Sequence, residues 1–477
     1  MDGVNKRFDF TVPAPALADL GRVHLIAIGG AGMSAVARLL LARGVPVSGS
    51  DAKDSAALRS LAAQGATTWV GHDPSHVDGA DSIVISSAIR EANVELARAR
   101  ALGLPVWHRA QALAATMAGH RRLAVAGANG KTTTTSMLTV ALATAGADPS
   151  FAAGSELADL GTNAAWHPGT PFVVEADESD GSFLAYHPDV AVVTNVQPDH
   201  LDFYGTFARV QAAYAAFAET VPAEGLLVVC ADDPGAMELA AAMAGRRRVL
   251  TYGRAPGADL RVRSSRLGAD GSTSLVRDRS GTERTLILST PGAHNVLNAG
   301  AAYLAAVEGT GADPEAVLAG LARYGGAARR FERHGEVDGV SVVDDYAHNP
   351  AKVSAVVETA ADIAHARGGR LLVVFQPHLY SRTRDFADGF ARGLAPADEV
   401  VLLDVYGARE DPLPGVGSEL IVAKLAALGR YAVVLGAAEA VDQAARWSRP
   451  ADLVLTVGAG DVTELAPRIV AALRERA

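Results

Sequence analysis

Leu123-Ala-Val-Ala-Gly-Ala-Asn-Gly-Lys-Thr-Thr133 is the stretch on which the reading of this chain turns. Its first four residues form a short apolar run that reads as a buried strand. Gly127, Ala128, Asn129 and Gly130 then turn the chain, and Lys131, Thr132 and Thr133 open a helix. A strict phosphate-binding P-loop would place glycine at 125, where Val125 stands, so this is a shortened variant. Its mechanics carry over: loop N–H groups wrap phosphates, Lys131 neutralises the β/γ charge of ATP, and the Thr132 hydroxyl reaches Mg²⁺.

Two later strand-like runs end in residues that suit the same site. Phe172-Val-Val174 leads into Glu175, Asp177, Glu178 and Asp180, and Val190-Ala-Val-Val193 leads into Asn195, Gln197, Asp199 and His200. An acidic loop alone is usually a solvated turn. Carboxylates at strand ends beside a P-loop are where a hard cation needs oxygen ligands, so Thr132 and Glu175 are expected ligands of Mg²⁺, with Mn²⁺ as the alternative, and His200 joins them as the odd member, since imidazole is a poorer Mg²⁺ partner than carboxylate. Further on, His294-Asn-Val-Leu-Asn298 opens a helix whose Asn295 and Asn298 share a face and can read a base edge, with capping by Asn295 as the plainer role. Arg330 is a candidate phosphate clamp, against the ordinary role of an exposed basic pair.

Upstream, Val23-His-Leu-Ile-Ala-Ile28 reads as a strand, Gly29-Gly-Ala-Gly-Met-Ser34 as a turn into a helix reaching Ala42, and Val45 to Ser50 as a second strand ending at Asp51. Gly30, Gly32, Met33 and Ser34 would offer N–H groups to a diphosphate and Asp51 a carboxylate to a ribose, with Ser86 and Ser87 at the same crevice. Ala35 occupies the place of the third glycine in a dinucleotide fingerprint, so the loop indicates a diphosphate rather than nicotinamide. Downstream, the runs Ser341–Val343, Leu371–Phe375 and Val400–Leu403 end in Asp344-Asp345-Tyr346 with His348, in His378 with Arg382, and in Asp404 with Tyr406. There Tyr346, His378 and Arg382 are expected to bind a substrate. Arg382 can hold its carboxylate, and His348 or His378 can accept a proton.

Three fresh glycine-rich starts in strand–helix grammar give an α/β chain of three domains. These are a Rossmann-like N-terminal domain over 1–118, a P-loop domain over 119–331 with a parallel sheet and a small antiparallel elaboration, and a Rossmann-like C-terminal domain over 332–477. Asp270-Gly271 and Gly281 mark the expected hairpins between 254 and 290. The length, 477 residues at about 150 per domain, agrees. With 43 basic against 53 acidic side chains and a net charge of −10, a sequence-independent grip on nucleic acid is excluded. The single cysteine, Cys230, lies in the apolar run Leu226–Cys230 without a flanking base and reads as an inert buried thiol. Neither a signal peptide nor a run of about 18 apolar residues is present, so the expected location is the cytoplasm.

The ordered set of motifs resembles the Mur ligases of peptidoglycan synthesis. The set comprises Gly29–Ser34, Gly127–Thr133, Glu175–Gly181, His294–Asn298, Arg329-Arg-Phe-Glu332, Asp344-Asp-Tyr-Ala-His348, Phe375-Gln-Pro-His-Leu-Tyr-Ser-Arg-Thr383 and Thr456-Val-Gly-Ala-Gly-Asp461. The resemblance implies a UDP-binding domain, an ATPase domain and a closing domain that brings the amino acid. Its substrates would be UDP-N-acetylmuramate, L-alanine and ATP, handled by a monomer or homodimer, with Asp345 near the ATP ribose and Arg330 near its phosphates. No lysine lies between Lys131 and Lys352, so the carbamylated central lysine of several relatives has no counterpart, in keeping with the alanine-adding branch. A relative that attaches a recycled murein peptide would share every motif. Three positions depart from the family pattern: Asn129 replaces His, Gln197 replaces Glu, and Asn349 replaces a second His. A nicotinamide dehydrogenase would leave Lys131 and the acidic strand ends unexplained. A P-loop switch that binds nucleotide without ligation would show no phosphate release dependent on both other substrates.

Overall fold

Strand–helix alternation closes into three sheets in the computed structural model, which describes residues 7–408 and 410–476. The first sheet is wholly parallel, in the order Thr67–Val70, Val47–Asp51, Val23–Ile26, Ser82–Ile85, Val106–His108. Strand order reverses between Val23–Ile26 and Ser82–Ile85, so the glycine loop and Ser86-Ser87 both emerge at the crevice where such sheets bind ligands. The expected strand to Ile28 stops two residues short because Ala27 takes a φ of 61° and begins the turn. Helix Ala31–Ala42 then buries Met33, Val36, Leu39 and Leu40 against the sheet.

The second sheet has ten strands. Seven run parallel, in the order Leu260–Gly268, Arg248–Gly253, Leu226–Cys230, Val190–Val193, Arg121–Ala126, Pro171–Glu175, Ser150–Leu157. Strands Val190–Val193 and Leu226–Cys230 are buried along their whole length, which explains why they read as continuous apolar runs without alternation. Thr162–Ala165 adds an antiparallel edge. Leu260–Gly268, Gly271–Asp278 and Glu283–Leu288 form the elaboration, turning at Asp270 and Gly281. The P-loop strand lies between the two strands that end in the acidic and histidine motifs, with Val125 level with Glu175 and Ala126 level with Val193. That register delivers all three loops to one edge.

The third sheet runs Glu332–Val337, Val340–Asp345, Leu453–Val457, Leu371–Phe375, Glu399–Leu402, Ala432–Val434, antiparallel only at its first pair. The chain packs as two compact units: residues 1–266, 272–290 and 295–325 form one, and residues 267–271, 291–294 and 326–477 the other. The first two sheets share a unit because helix Arg109–Thr116 packs on the turn Ser182–Tyr186 and helix Ala31–Ala42 on strand Thr162–Ala165. Cys230 is buried, and burial pushes its thiol up to about 11. Among the described residues no helix is long and apolar enough to cross a membrane.

Candidate functional site

Gly127 and Gly130 take φ of 135° and 83°, a region that side chains rarely enter, and the P-loop depends on both. A Cβ at Gly130 would come within 2.5 Å of Asn298 Oδ1, so the asparagine of the later helix Ala293–Thr310 is packed directly on the loop. Asn298 Nδ2 in turn donates to Asn295 Oδ1 at 3.2 Å. Lys131 opens helix Lys131–Thr144 and donates to Gly127 O and to Glu178 Oε1, both at 2.8 Å. Burial works against its charge, but Glu178 and Asp177 outweigh burial and hold the ammonium protonated. Thr132 Oγ1 donates to Glu175 Oε1 at 3.0 Å, and the other Glu175 oxygen accepts from Gly154 N at 2.6 Å. The core residues of the predicted ATP site are therefore joined directly.

Thr132, Glu175 and Glu178 supply oxygens of the type Mg²⁺ prefers. Glu178 Oε2 is buried with no hydrogen-bond partner among the described residues, an arrangement that a bound cation would satisfy, so the residues fit a divalent ion. His200 Nε2 lies 3.6 Å from Glu178 Oε1 and 3.9 Å from Asp199 Oδ2. Burial lowers its pKa, but those two carboxylates prevail and raise it. Asn129 and Gln197, two of the departures from the family pattern, meet each other: Asn129 Nδ2 donates to Gln197 Oε1 at 2.9 Å, and Gln197 Nε2 donates to Asp233 Oδ2 at 3.0 Å. The Asn129 backbone is clamped by Asn195, whose Oδ1 accepts from Asn129 N at 2.9 Å.

At the first glycine loop, Asp51 Oδ2 accepts from Gly29 N at 2.9 Å, so the expected ribose ligand also holds the loop. Met33 and Ser34 are buried, and Ser34 Oγ donates to Ala31 O at 3.0 Å, so what these residues offer a ligand is backbone N–H. Gly30 leads into the helix without a side-chain cap, leaving N–H groups of the first turn for an anion. Ser87 Oγ donates to Asp180 Oδ2 at 2.5 Å and lies 3.1 Å from His108 Nε2. Arg109 Nη2 donates to Asp177 Oδ2 at 2.8 Å. Burial raises the Asp180 carboxyl, but His108 and Arg109 overcome this and hold it ionised. Sequence reasoning named Asp177, Glu178 and Asp180 only as members of the acidic loop, without their partners, and passed over His108 and Arg109. The one available signal was that His108 ends a parallel strand and Arg109 follows it, where ligands gather.

In the third sheet, Asp345 accepts from Phe331 N at 2.9 Å and Ala347 N at 2.8 Å, and burial raises its pKa. Tyr346 is covered by the guanidinium groups of Arg329 and Arg330, 4.8 and 5.0 Å from its ring centre. His348 Nδ1 lies 2.9 Å from Tyr346 O, and its ring is 6.0 Å from that of His378, which stacks on Tyr406 at 5.8 Å. Arg382 Nη1 donates to His348 O at 3.3 Å. Thus the structure brings His348, His378, Arg382 and Tyr346 together. Burial, then the charges of Lys352 and Arg382, hold His348 well below the usual histidine range, in its neutral form. Asn349, the third departure, caps helix Pro350–Ala366 by accepting from Lys352 N at 2.9 Å. Glu332, His334 and Asp344 also bring possible metal donors within 4.8 Å of one another, but Arg329 already serves Glu332 through its N–H and Asp344 through its guanidinium.

Comparison with known proteins covers almost the whole chain. Three family models match in order: the Mur ligase family catalytic domain over residues 22–121, the Mur ligase middle domain over 125–306 and the Mur ligase glutamate ligase domain over 329–460. The UDP-N-acetylmuramate–L-alanine ligase of Kineococcus radiotolerans is 55% identical over 96% of this chain and 98% of its own. That of Paenarthrobacter aurescens is 52% identical over 97% and 99%. Among solved structures, the UDP-N-acetylmuramate–alanine ligase of Thermotoga maritima superposes with a TM-score of 0.79 at 28% identity, covering 96% of this chain and all of its own. A murein peptide ligase from Psychrobacter arcticus shares the fold, with a TM-score of 0.71 at 23% identity over 95% of this chain and 98% of its own.

Proposed function

The chain belongs to the Mur ligase family, and from this membership and its site we infer that it joins L-alanine to the lactyl carboxylate of UDP-N-acetylmuramate in an ATP-dependent ligation. The observation that carries this reading is the 55% identity to an alanine-adding ligase along 96% of the chain, together with an intact Lys131–Thr132–Glu175 constellation. We assign residues 1–118 to the UDP-sugar, 119–331 to ATP and 332–477 to the amino acid.

A carboxylate is a poor electrophile, so its oxygen is first phosphorylated. The γ-phosphoryl group passes from ATP to a lactyl carboxylate oxygen, ADP departs, and the alanine amine attacks the acyl carbon. Inorganic phosphate leaves and the amide remains. Lys131 and the loop N–H groups neutralise and orient the transferring group. Thr132, Glu175 and His200, with Glu178 beside them, would hold the Mg²⁺ that offsets phosphate charge. Arg382 would take the alanine carboxylate, and neutral His348 accepts the proton that the ammonium must lose before it attacks. A protein that consumes ATP and a nucleotide sugar is expected to work in the cytoplasm, where both are available.

Phosphate release tests the reading. Release should require ATP, UDP-N-acetylmuramate and L-alanine together, with a product heavier than the nucleotide sugar by one alanine residue. Release with a murein tripeptide and none with alanine would overturn it.

A further inference from the structure

A substrate carboxylate that is to be phosphorylated must enter a crevice already lined by Glu175, Asp177, Glu178 and Asp180, in the company of a γ-phosphate. Repulsion of this kind has to be offset by a nearby cation. Lys131 is committed to Gly127 O and Glu178. Arg109 is a cation that reaches from the first glycine loop to the acidic strand end. It is the first residue of helix Arg109–Thr116, with its side chain 18% exposed. Its Cδ and Nη1 would lie 3.5 Å from a Cβ at Gly32, so the side chain runs across the first glycine loop, while Nη2 reaches Asp177, two residues beyond Glu175. Among the described residues, that single bond to Asp177 is the only hydrogen bond its five-donor fork makes, which leaves Nε and Nη1 to be filled.

We propose that Arg109 binds the lactyl carboxylate of the incoming nucleotide sugar, exchanging the Asp177 carboxylate for that of the substrate. The proposal deepens the ligase reading and rests on it. A guanidinium fork takes a carboxylate through two parallel bonds, which fixes the plane of the acceptor as well as its place. The exchange would hold the acceptor oxygen at the acidic strand end beside the P-loop and would select for a sugar that bears a carboxylate. Asp177 would be released from its pair in the same step.

Calorimetric binding of UDP-N-acetylmuramate and of UDP-N-acetylglucosamine, which is the same nucleotide sugar without the lactyl ether, tests the proposal on the full chain. Arg109→Ala should lose about 30-fold in affinity for the first and stay within about twofold of wild type for the second and for ATP. Arg109→Lys, which keeps the charge without the fork, should fall between, and it carries the test if the alanine variant does not fold. Equal losses for both sugars would make the diphosphate the ligand of Arg109 and overturn the proposal. Unchanged affinity for UDP-N-acetylmuramate would reduce Arg109 to a structural tie and overturn it too. Binding is read without turnover, so a wild-type chain that fails to ligate alanine would sink the ligase reading separately.

Discussion

Replacing Glu95 by glutamine should destabilise the first sheet by about 3 kcal/mol at neutral pH, and the deficit should close in acid. Glu95 is fully buried and gathers Ser50 Oγ at 2.6 Å, His76 Nδ1 at 2.8 Å, His72 Nδ1 at 3.1 Å and Asp73 N at 3.3 Å. Burial alone would raise its pKa, but bonds from His24, Ser50 and His76 dominate together and hold it at about 2, against an ordinary 4.5. Since the folded value is depressed, the contribution is complete above pH 4.5 and is lost as pH falls towards 2. By pH 3.5 about 1.5 kcal/mol of the difference between wild type and Glu95→Gln should have gone. Urea unfolding followed by Trp69 fluorescence reads this locally, because Trp69 stacks on His76 at 4.5 Å; Trp107, Trp166 and Trp447 would be changed to phenylalanine in both proteins. Ser50 adjoins Asp51, which holds Gly29, so affinity for the nucleotide sugar should fall as well. Equal midpoints at pH 7, or a gap that stays constant down to pH 3.5, would refute the reasoning.

Lys131→Ala should lower kcat by about a thousandfold or more while UDP-N-acetylmuramate binds within about twofold of wild type; retained turnover would remove the P-loop from the mechanism. For His348 the lowered pKa keeps the proton-accepting form present from pH 6.5 upward, so His348→Gln should cut kcat/KM for alanine by about a hundredfold without moving the acid limb of the pH profile. An acid limb near 6.5 that disappears in the variant would contradict this. With its thiol held at about 11, Cys230 should resist iodoacetamide at pH 7.5 in the folded chain, and Cys230→Ser should keep full activity; rapid labelling would show the thiol to be accessible.

Local chemistry was readable from the sequence and distant pairing was not. The P-loop, the glycine turn after Val23–Ile26 and the hairpins at Asp270 and Gly281 depend on neighbours within a few residues, and each lies where the sequence places it, save that the first turn begins two residues early at Ala27. Glu175 and His200 follow from strands whose apolar runs announce their ends. Arg109 and Asp177 are 68 residues apart, and Ser87 and Asp180 are 93 apart, so only the folded sheets reveal that they pair. Asp51 shows the complementary difficulty: an acidic residue after a second strand suggests a ribose, yet its carboxylate also closes the loop from within. The two-unit packing has the same origin, since the ties between the first two sheets join residues far apart in the sequence, Arg109 to Asp177 and Ser87 to Asp180 among them.

The Asn129–Gln197 contact restricts the order in which this loop could exchange residues over evolutionary time. Gln197 donates to Asp233 at 3.0 Å, so a glutamate introduced there first would set one carboxylate against the buried carboxylate of Asp233. A histidine introduced first at 129 can carry a proton and receive that glutamate. Passage between the amide pair and the histidine–glutamate pair of the resemblance therefore has a favoured direction, with the histidine arriving first and leaving last. Position 197 is in this sense conditional on position 129.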